Sequence, residues 1–292
     1  MNAADVPPSA ADRFAPARAA FRTLLTHVQP DPAEQPRLTA AGALARTLDA
    51  RLFGVAAEVF PQTTADRLGL TKADDYAELR ARIDANHHAA KAAFVKTADG
   101  LRTTWMALES APVTAIAKAA RGADLIVAGG STRQDAHFHD VWCDPGMLVL
   151  LSGRPVLVVP SSGGRLSAEA VVVAWKDTRE ARRAVADAMP FLRCAREVVV
   201  LEVCGESEYG DAEARTYGVV DGLQQHGVPA RARCVIAPPD RAPAEIKLAA
   251  ADAGADLIVA GGYGHSRLGE WIFGGVTNDL LADPERFLLL SH

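Results

Sequence analysis

GADLIVAGG occupies Gly122 to Gly130 and recurs without change at Gly254 to Gly262, an offset of 132 residues. Nine consecutive identities mark an internal repeat, and a repeat of this length governs the architecture before any local signal does. The flanking order repeats too. An apolar run opens each half, Phe21 to Val28 and Ala170 to Trp175, and a second follows one amphipathic segment later, Leu52 to Val59 and Val198 to Val203. The opening runs lie about 147 residues apart, so the first half holds about 15 extra residues before its fourth strand, and the polar stretch Pro61 to Arg82 is where they are placed.

Within each half, short Val/Ile/Leu runs alternate with Ala-rich segments of helical period. The runs are nearly continuous in apolar residues, the pattern of parallel strands covered on both faces. The second half supplies five: Ala170 to Trp175, Val198 to Val203, Ala230 to Ile236, Asp256 to Ala260 and Arg286 to Leu290. Between the first two, a helix over Arg179 to Leu192 sets Ala181, Ala184, Val185, Ala188 and Leu192 in one apolar stripe. A solvated helix is expected over Asp74 to Thr97, where the adjacent His87 and His88 point apart and read as structural. Each half is therefore an α/β unit, a doubly wound, Rossmann-like, five-stranded parallel sheet. Ser161, Ser162, Gly163 and Gly164 have little side-chain surface to bury and read as the linker between units at 19–160 and 166–292. The first eighteen residues, rich in Ala and Pro, read as a flexible tail.

The 292 residues are enough for two such cores, and 31 basic against 36 acidic side chains leave a net charge of −5. A chain without a basic excess is not expected to bind nucleic acid or an anionic membrane. Cys143, Cys194, Cys204 and Cys234 contain no C-x-x-C pair and suit a reducing compartment. With no signal-peptide pattern and no apolar run of about 18 residues, a cytoplasmic protein is expected.

Open parallel sheets bind ligands beyond the carboxyl ends of their strands. Two second-half loops lie there: Ala174, Trp175, Lys176, Asp177 and Thr178 after the first strand, and GGYGHSRLGEWIFGGVTNDLL after the fourth. Gly261, Gly264, Gly274 and Gly275 in the latter have the spacing G-x2-G-x9-G-G, and glycines there let a phosphate reach backbone N–H groups. His265 and Ser266 fall inside this loop. His137, His139, Cys143 and Asp144 make a metal-like cluster, but they lack a four-ligand spacing and read as loop residues. The motifs G-x-S-x-G, G-x-x-x-x-G-K-[ST], H-E-x-x-H and G-x-G-x-x-G do not occur, Arg267 standing at the third glycine of the last.

The segment ADLIVAGGYGHSRLGEWIFGGVTNDLL resembles the phosphate-binding signature of the universal stress protein family, G-x2-G-x9-G-[ST]. AWKDTREARRAVADAMPFL and FRTLLTHVQPDPAEQPRL resemble the family's first strand, loop and helix in the two halves. The resemblance implies a tandem member with sheet order 3-2-1-4-5 in each unit and domains paired about a twofold axis within the chain, with a homodimer as a further assembly. It implies ATP or a related adenine nucleotide, with or without Mg²⁺, as ligand. Gly261, Gly262, Gly264 and Gly274 would line the phosphates, Gly275, Val276 and Thr277 would follow at a helix N-terminus, and Val203 would meet adenine.

Three departures stand out. Gly275 replaces the signature's hydroxyl residue, and Lys176 stands where the family commonly has Asp. In the first half, Gly264, Gly274 and Gly275 correspond to Thr132, Trp142 and Cys143, and Gln29 replaces the adenosine-side Asp. One nucleotide per chain is therefore expected, with a degenerate first unit. No reaction is assigned beyond, at most, a slow ATPase. The alternative is a tandem interaction module without nucleotide, and a third reading is an enzyme acting on an adenylated substrate. Gly261→Val is expected to abolish nucleotide binding and leave the fold intact.

Overall fold

A computed structural model of the chain describes residues 13–30, 35–59, 73–130, 143–263 and 275–292. The first half runs α1 (Ala15–Ala20), β1 (Thr23–His27), α2 (Gln35–Leu48), β2 (Arg51–Glu58), α3 (Ala73–Thr97), β3 (Thr103–Glu109), α4 (Pro112–Ala119), β4 (Leu125–Gly129), α5 (Pro145–Ser152) and β5 (Val156–Val159). The second runs β6 (Ala170–Trp175), α6 (Arg179–Leu192), β7 (Glu197–Cys204), α7 (Tyr209–Gln225), β8 (Ala230–Ile236), α8 (Ala242–Asp252), β9 (Leu257–Gly261), α9 (Gly275–Ala282) and β10 (Phe287–Ser291).

The strands form a ten-stranded sheet ordered β3-β2-β1-β4-β5-β10-β9-β6-β7-β8, which is 3-2-1-4-5 read outward-in for one half and its mirror order for the other. Each half is parallel throughout, as its doubly apolar strands require. The halves meet at β5 and β10, which run antiparallel with Leu288 beside Val158 and Leu290 beside Val156. The two five-stranded units are thus one continuous sheet.

Alternating strand residues divide the core into two layers. Leu24, Val173, Trp175 and Leu289 belong to the layer under α1, α2, α3, α6 and α7, and Leu25, Val172, Ala260 and Leu290 to the layer under α4, α5, α8 and α9. The stripe on α6 is buried as its spacing predicts: Ala181, Ala184, Ala188 and Leu192 lie in the first layer and Val185 packs against it. The extra residues of the first half fall between β2, ending at Glu58, and β3, beginning at Thr103, where β7 and β8 are separated only by 205–229. Ala73–Arg82 of the expected insertion are the first turns of α3; residues 60–72 lie outside the described residues.

The expected flexible tail is corrected in part. Residues 1–12 lie outside the described residues, but Phe14 and Ala17 are buried, and Arg13 pairs with Glu169 at 3.0 Å. Phe21 meets Phe191 of α6 at 5.0 Å between ring centroids. The entering chain is therefore bound to the second half, because its aromatic residues supply apolar area that α6 leaves uncovered. Among the described residues, no helix is long and apolar enough to cross a membrane.

Candidate functional site

The order of each half reverses direction between its first and fourth strands, β6 and β9 in the second half. The following helices leave to opposite layers there, α6 on one side and α9 on the other, so a crevice opens beyond the carboxyl ends of the two strands. Ala174 and Val203 are half-buried on the α9 side of this edge. Trp175 faces the other layer, buried in the core, with no partner for its indole Nε1 among the described residues. Lys176 and Asp177 are exposed, Asp177 bonded by Arg182. Thr178 is the N-cap of α6, its hydroxyl accepting from the Ala181 amide at 3.2 Å.

Gly261 ends β9 where it crosses the first turn of α6. A Cβ there would lie 2.6 Å from the Ala181 nitrogen and 2.7 Å from the Glu180 carbonyl carbon. This overturns the expectation that Gly261→Val would leave the fold intact, since the atoms it would meet are backbone. At Gly262 a Cβ would meet Val149 of α5 at 2.7 Å, and at the repeat-equivalent Gly130 it would meet Pro284, just past α9, at 2.6 Å. The last glycine of each nonapeptide thus admits the opposite half. Gly261 and Gly262 each have a steric reason that needs no ligand.

Tyr263 follows with φ 59°, a left-handed conformation for a non-glycine residue. Its amide donates to Thr277 Oγ1 at 3.5 Å, and its phenol lies over Gly146 of α5, where a Cβ would come within 1.9 Å of the hydroxyl. Burial, with the Asp144 carboxylate beside it, pushes this phenol well above its ordinary pKa. Thr277 is buried, Val276 half-buried, and Gly275 opens α9 with nothing among the described residues within 4 Å of its Cβ position. Gly264, His265, Ser266 and Gly274 lie outside the described residues.

The first half has the same frame and different contents. Register places His27 where the second half has Ala174, and Ala57 where it has Val203. His27 is buried, and burial, helped by the Arg37 charge and opposed by a backbone contact with Ala57, lowers its pKa to about 3. Arg37 of α2 donates to the His27 carbonyl at 2.8 Å. His87, expected on a solvated face, has its Nε2 buried, whereas His88 is exposed and bonds the Asp84 carbonyl at 2.7 Å. At α5, Asp144 accepts from the amides of Gly146 at 2.8 Å and Met147 at 3.4 Å. The helix N-terminus that would face an anion therefore holds the chain's own carboxylate. Asp144-Pro145 is a readable cap signature. His137, His139, Thr132 and Trp142 lie outside the described residues.

Sequence reading missed three residues beside the crevice. His292 Nδ1 lies 3.0 Å from the Gly262 carbonyl, Arg179 Nη2 lies 3.4 Å from His292 Nε2, and Arg179 Nε bonds the buried Glu180 carboxylate. Burial pushes Glu180 up, but the bond and charge of Arg179 together with hydrogen bonds from its own amide and from Thr178 outweigh it and hold the carboxyl below its ordinary range. Farther out, Arg215 holds Glu202, the register neighbour of Trp175, at 2.6 Å. None of these residues belongs to a spaced motif, and only folding brings Gly262 and His292 together.

No family model and no curated protein matches the chain. Among solved structures it is similar to a universal stress protein from Archaeoglobus fulgidus DSM 4304, with TM-score 0.67 and 14% identity over 92% of this chain and 95% of that one. A putative universal stress protein from Pseudomonas aeruginosa UCBPP-PA14 has TM-score 0.57 and 19% identity over 94% of each chain. A protein of unknown function from Pseudomonas aeruginosa PAO1 has TM-score 0.56 and 19% identity over the same shares. These likenesses extend across both halves.

Proposed function

We propose that this chain, which has the universal stress protein fold in tandem, is a stress-response protein that binds one adenine nucleotide, ATP or a relative, in its second half. The observation that carries the reading is the contrast between two equivalent helix N-termini. Asp144 caps α5, while α9 begins at Gly275 with no described residue within 4 Å of its Cβ position. Free N–H groups at a helix start attract anions. Gly275, Val276 and Thr277, with Gly264 and Gly274, would hold the phosphates, and the small Ala174 and apolar Val203 would receive the base. A nucleotide brings polyphosphate charge to this edge, and any Mg²⁺ would rest on phosphate and water.

The nucleotide acts as a conformational or assembly switch, to the extent that it binds one state better than another. Tyr263 supports this: it joins the candidate loop to α5 of the other half, so a ligand that moves the loop acts on the contact between halves. We assign the units to 19–160 and 166–292, the first preceded by α1. Cys194, Cys204 and Cys234, which form no disulfide, agree with a cytoplasmic location.

Denaturing the protein purified without added ligand and identifying released adenine species, then titrating the nucleotide-free chain with ATP and Mg²⁺, tests the reading. One equivalent is expected. Absence of both release and saturable binding up to millimolar ATP overturns it in favour of an interaction module without nucleotide, a reading that draws on the steric roles of Gly261 and Gly262.

A further inference from the structure

Arg179 is the first residue of α6, placed beside the end of β9 by the close approach of Gly261 to Glu180 and Ala181. Two contacts fix its guanidinium. Nε bonds the Glu180 carboxylate, whose side chain is buried behind it, and Nη2 meets His292 Nε2 at 3.4 Å. The carbonyl of Gly262 can only accept, so His292 Nδ1 carries the proton and Nε2 presents a lone pair to the arginine. Nη1 has no partner among the described residues, and the Arg179 side chain is 76% exposed. Negative charge thus lies buried behind the guanidinium and its open donors face outward, with the α6 N-terminus adding field of the same sign.

The neighbouring arginines differ. Arg182 pairs with Asp177 and Arg183 with Asp187, both within ordinary surface ion pairs. Arg179 is instead tied, through a neutral imidazole, to the glycine turn from which the candidate phosphate loop departs. A guanidinium fixed in advance with free donors loses little entropy on meeting an oxyanion and can bond it through more than one N–H.

We propose that Arg179 binds the polyphosphate of the nucleotide and that His292 is its positioning residue. The inference rests on the nucleotide reading above. The full chain, Arg179→Gln, Arg179→Lys and His292→Ala are titrated calorimetrically with ATP and with adenosine, thermal midpoints being measured in parallel. Arg179→Gln is expected to weaken ATP about tenfold and leave adenosine unchanged, since a charge-assisted hydrogen bond is lost only to the ligand that carries phosphate. Arg179→Lys recovers part of the loss, and His292→Ala weakens ATP alone by about threefold, as befits a residue that only orients the charge. Unchanged ATP affinity in Arg179→Gln, or equal losses for ATP and adenosine, overturns the inference and leaves the nucleotide reading standing. If the unmutated chain binds neither ligand, the reading fails and the inference fails with it.

Discussion

Gly261 and Gly275 belong to one sequence signature and play opposite steric roles. Because a Cβ at Gly261 would enter the backbone of α6, Gly261→Val should destabilise the protein by about 2 kcal/mol or more, seen as a lower urea midpoint with no ligand present. Gly275 has room, so Gly275→Ser should leave the urea midpoint within about 0.5 kcal/mol of the parent and tighten ATP binding about threefold through an added hydroxyl donor. His27 sets a third expectation. Its folded pKa of about 3 lies below the unfolded 6.5, so the unfolded chain takes up the proton first, and stability falls as pH drops from 6.5 towards 3. By pH 4.5 the loss is about 3 kcal/mol. His27→Leu should remove this component of the slope, measured as the pH dependence of the urea midpoint.

At the scale of elements, the helix following each half's fourth strand packs on the opposite half. Gly262 admits Val149 of α5, and Gly130 admits Pro284 beyond α9. The last glycine of GADLIVAGG thus meets the opposite half in both copies. Gly130→Ala, far from the candidate loop, should cost about 1–3 kcal/mol in urea unfolding through displacement of the Pro284 ring. The helix α1 shows a related effect, because its burial depends on α6 of the other half.

For the whole molecule, antiparallel pairing of β5 with β10 places fully buried Val156, Leu157, Leu289 and Leu290 at the centre of one sheet. Separating the halves would expose two apolar strand edges, which invite pairing with other strands. Residues 166–292 expressed alone should therefore self-associate, with a mass above that of a monomer by light scattering, whereas the whole chain should unfold in a single calorimetric transition. A monomeric, stable second half would contradict this account of the sheet.

The repeat, the runs of Val and Ile and the Ala stripe of α6 were enough to determine five parallel strands per half, because strand burial and helix faces follow from periodicities of a few residues. The departure of the first half from the glycine signature was legible as Thr132, Trp142 and Cys143. What only the tertiary structure decided is which residues meet. The fusion of the sheets at β5 and β10, the seating of α1 on α6, the burial of His27 on the strand between β2 and β4 and the approach of Arg179 and His292 to Gly262 all join positions distant in sequence. A glycine kept for a phosphate and one kept for a crossing backbone look alike in sequence, because both are recorded only as a missing side chain, and the atom that requires the space lies elsewhere in the chain.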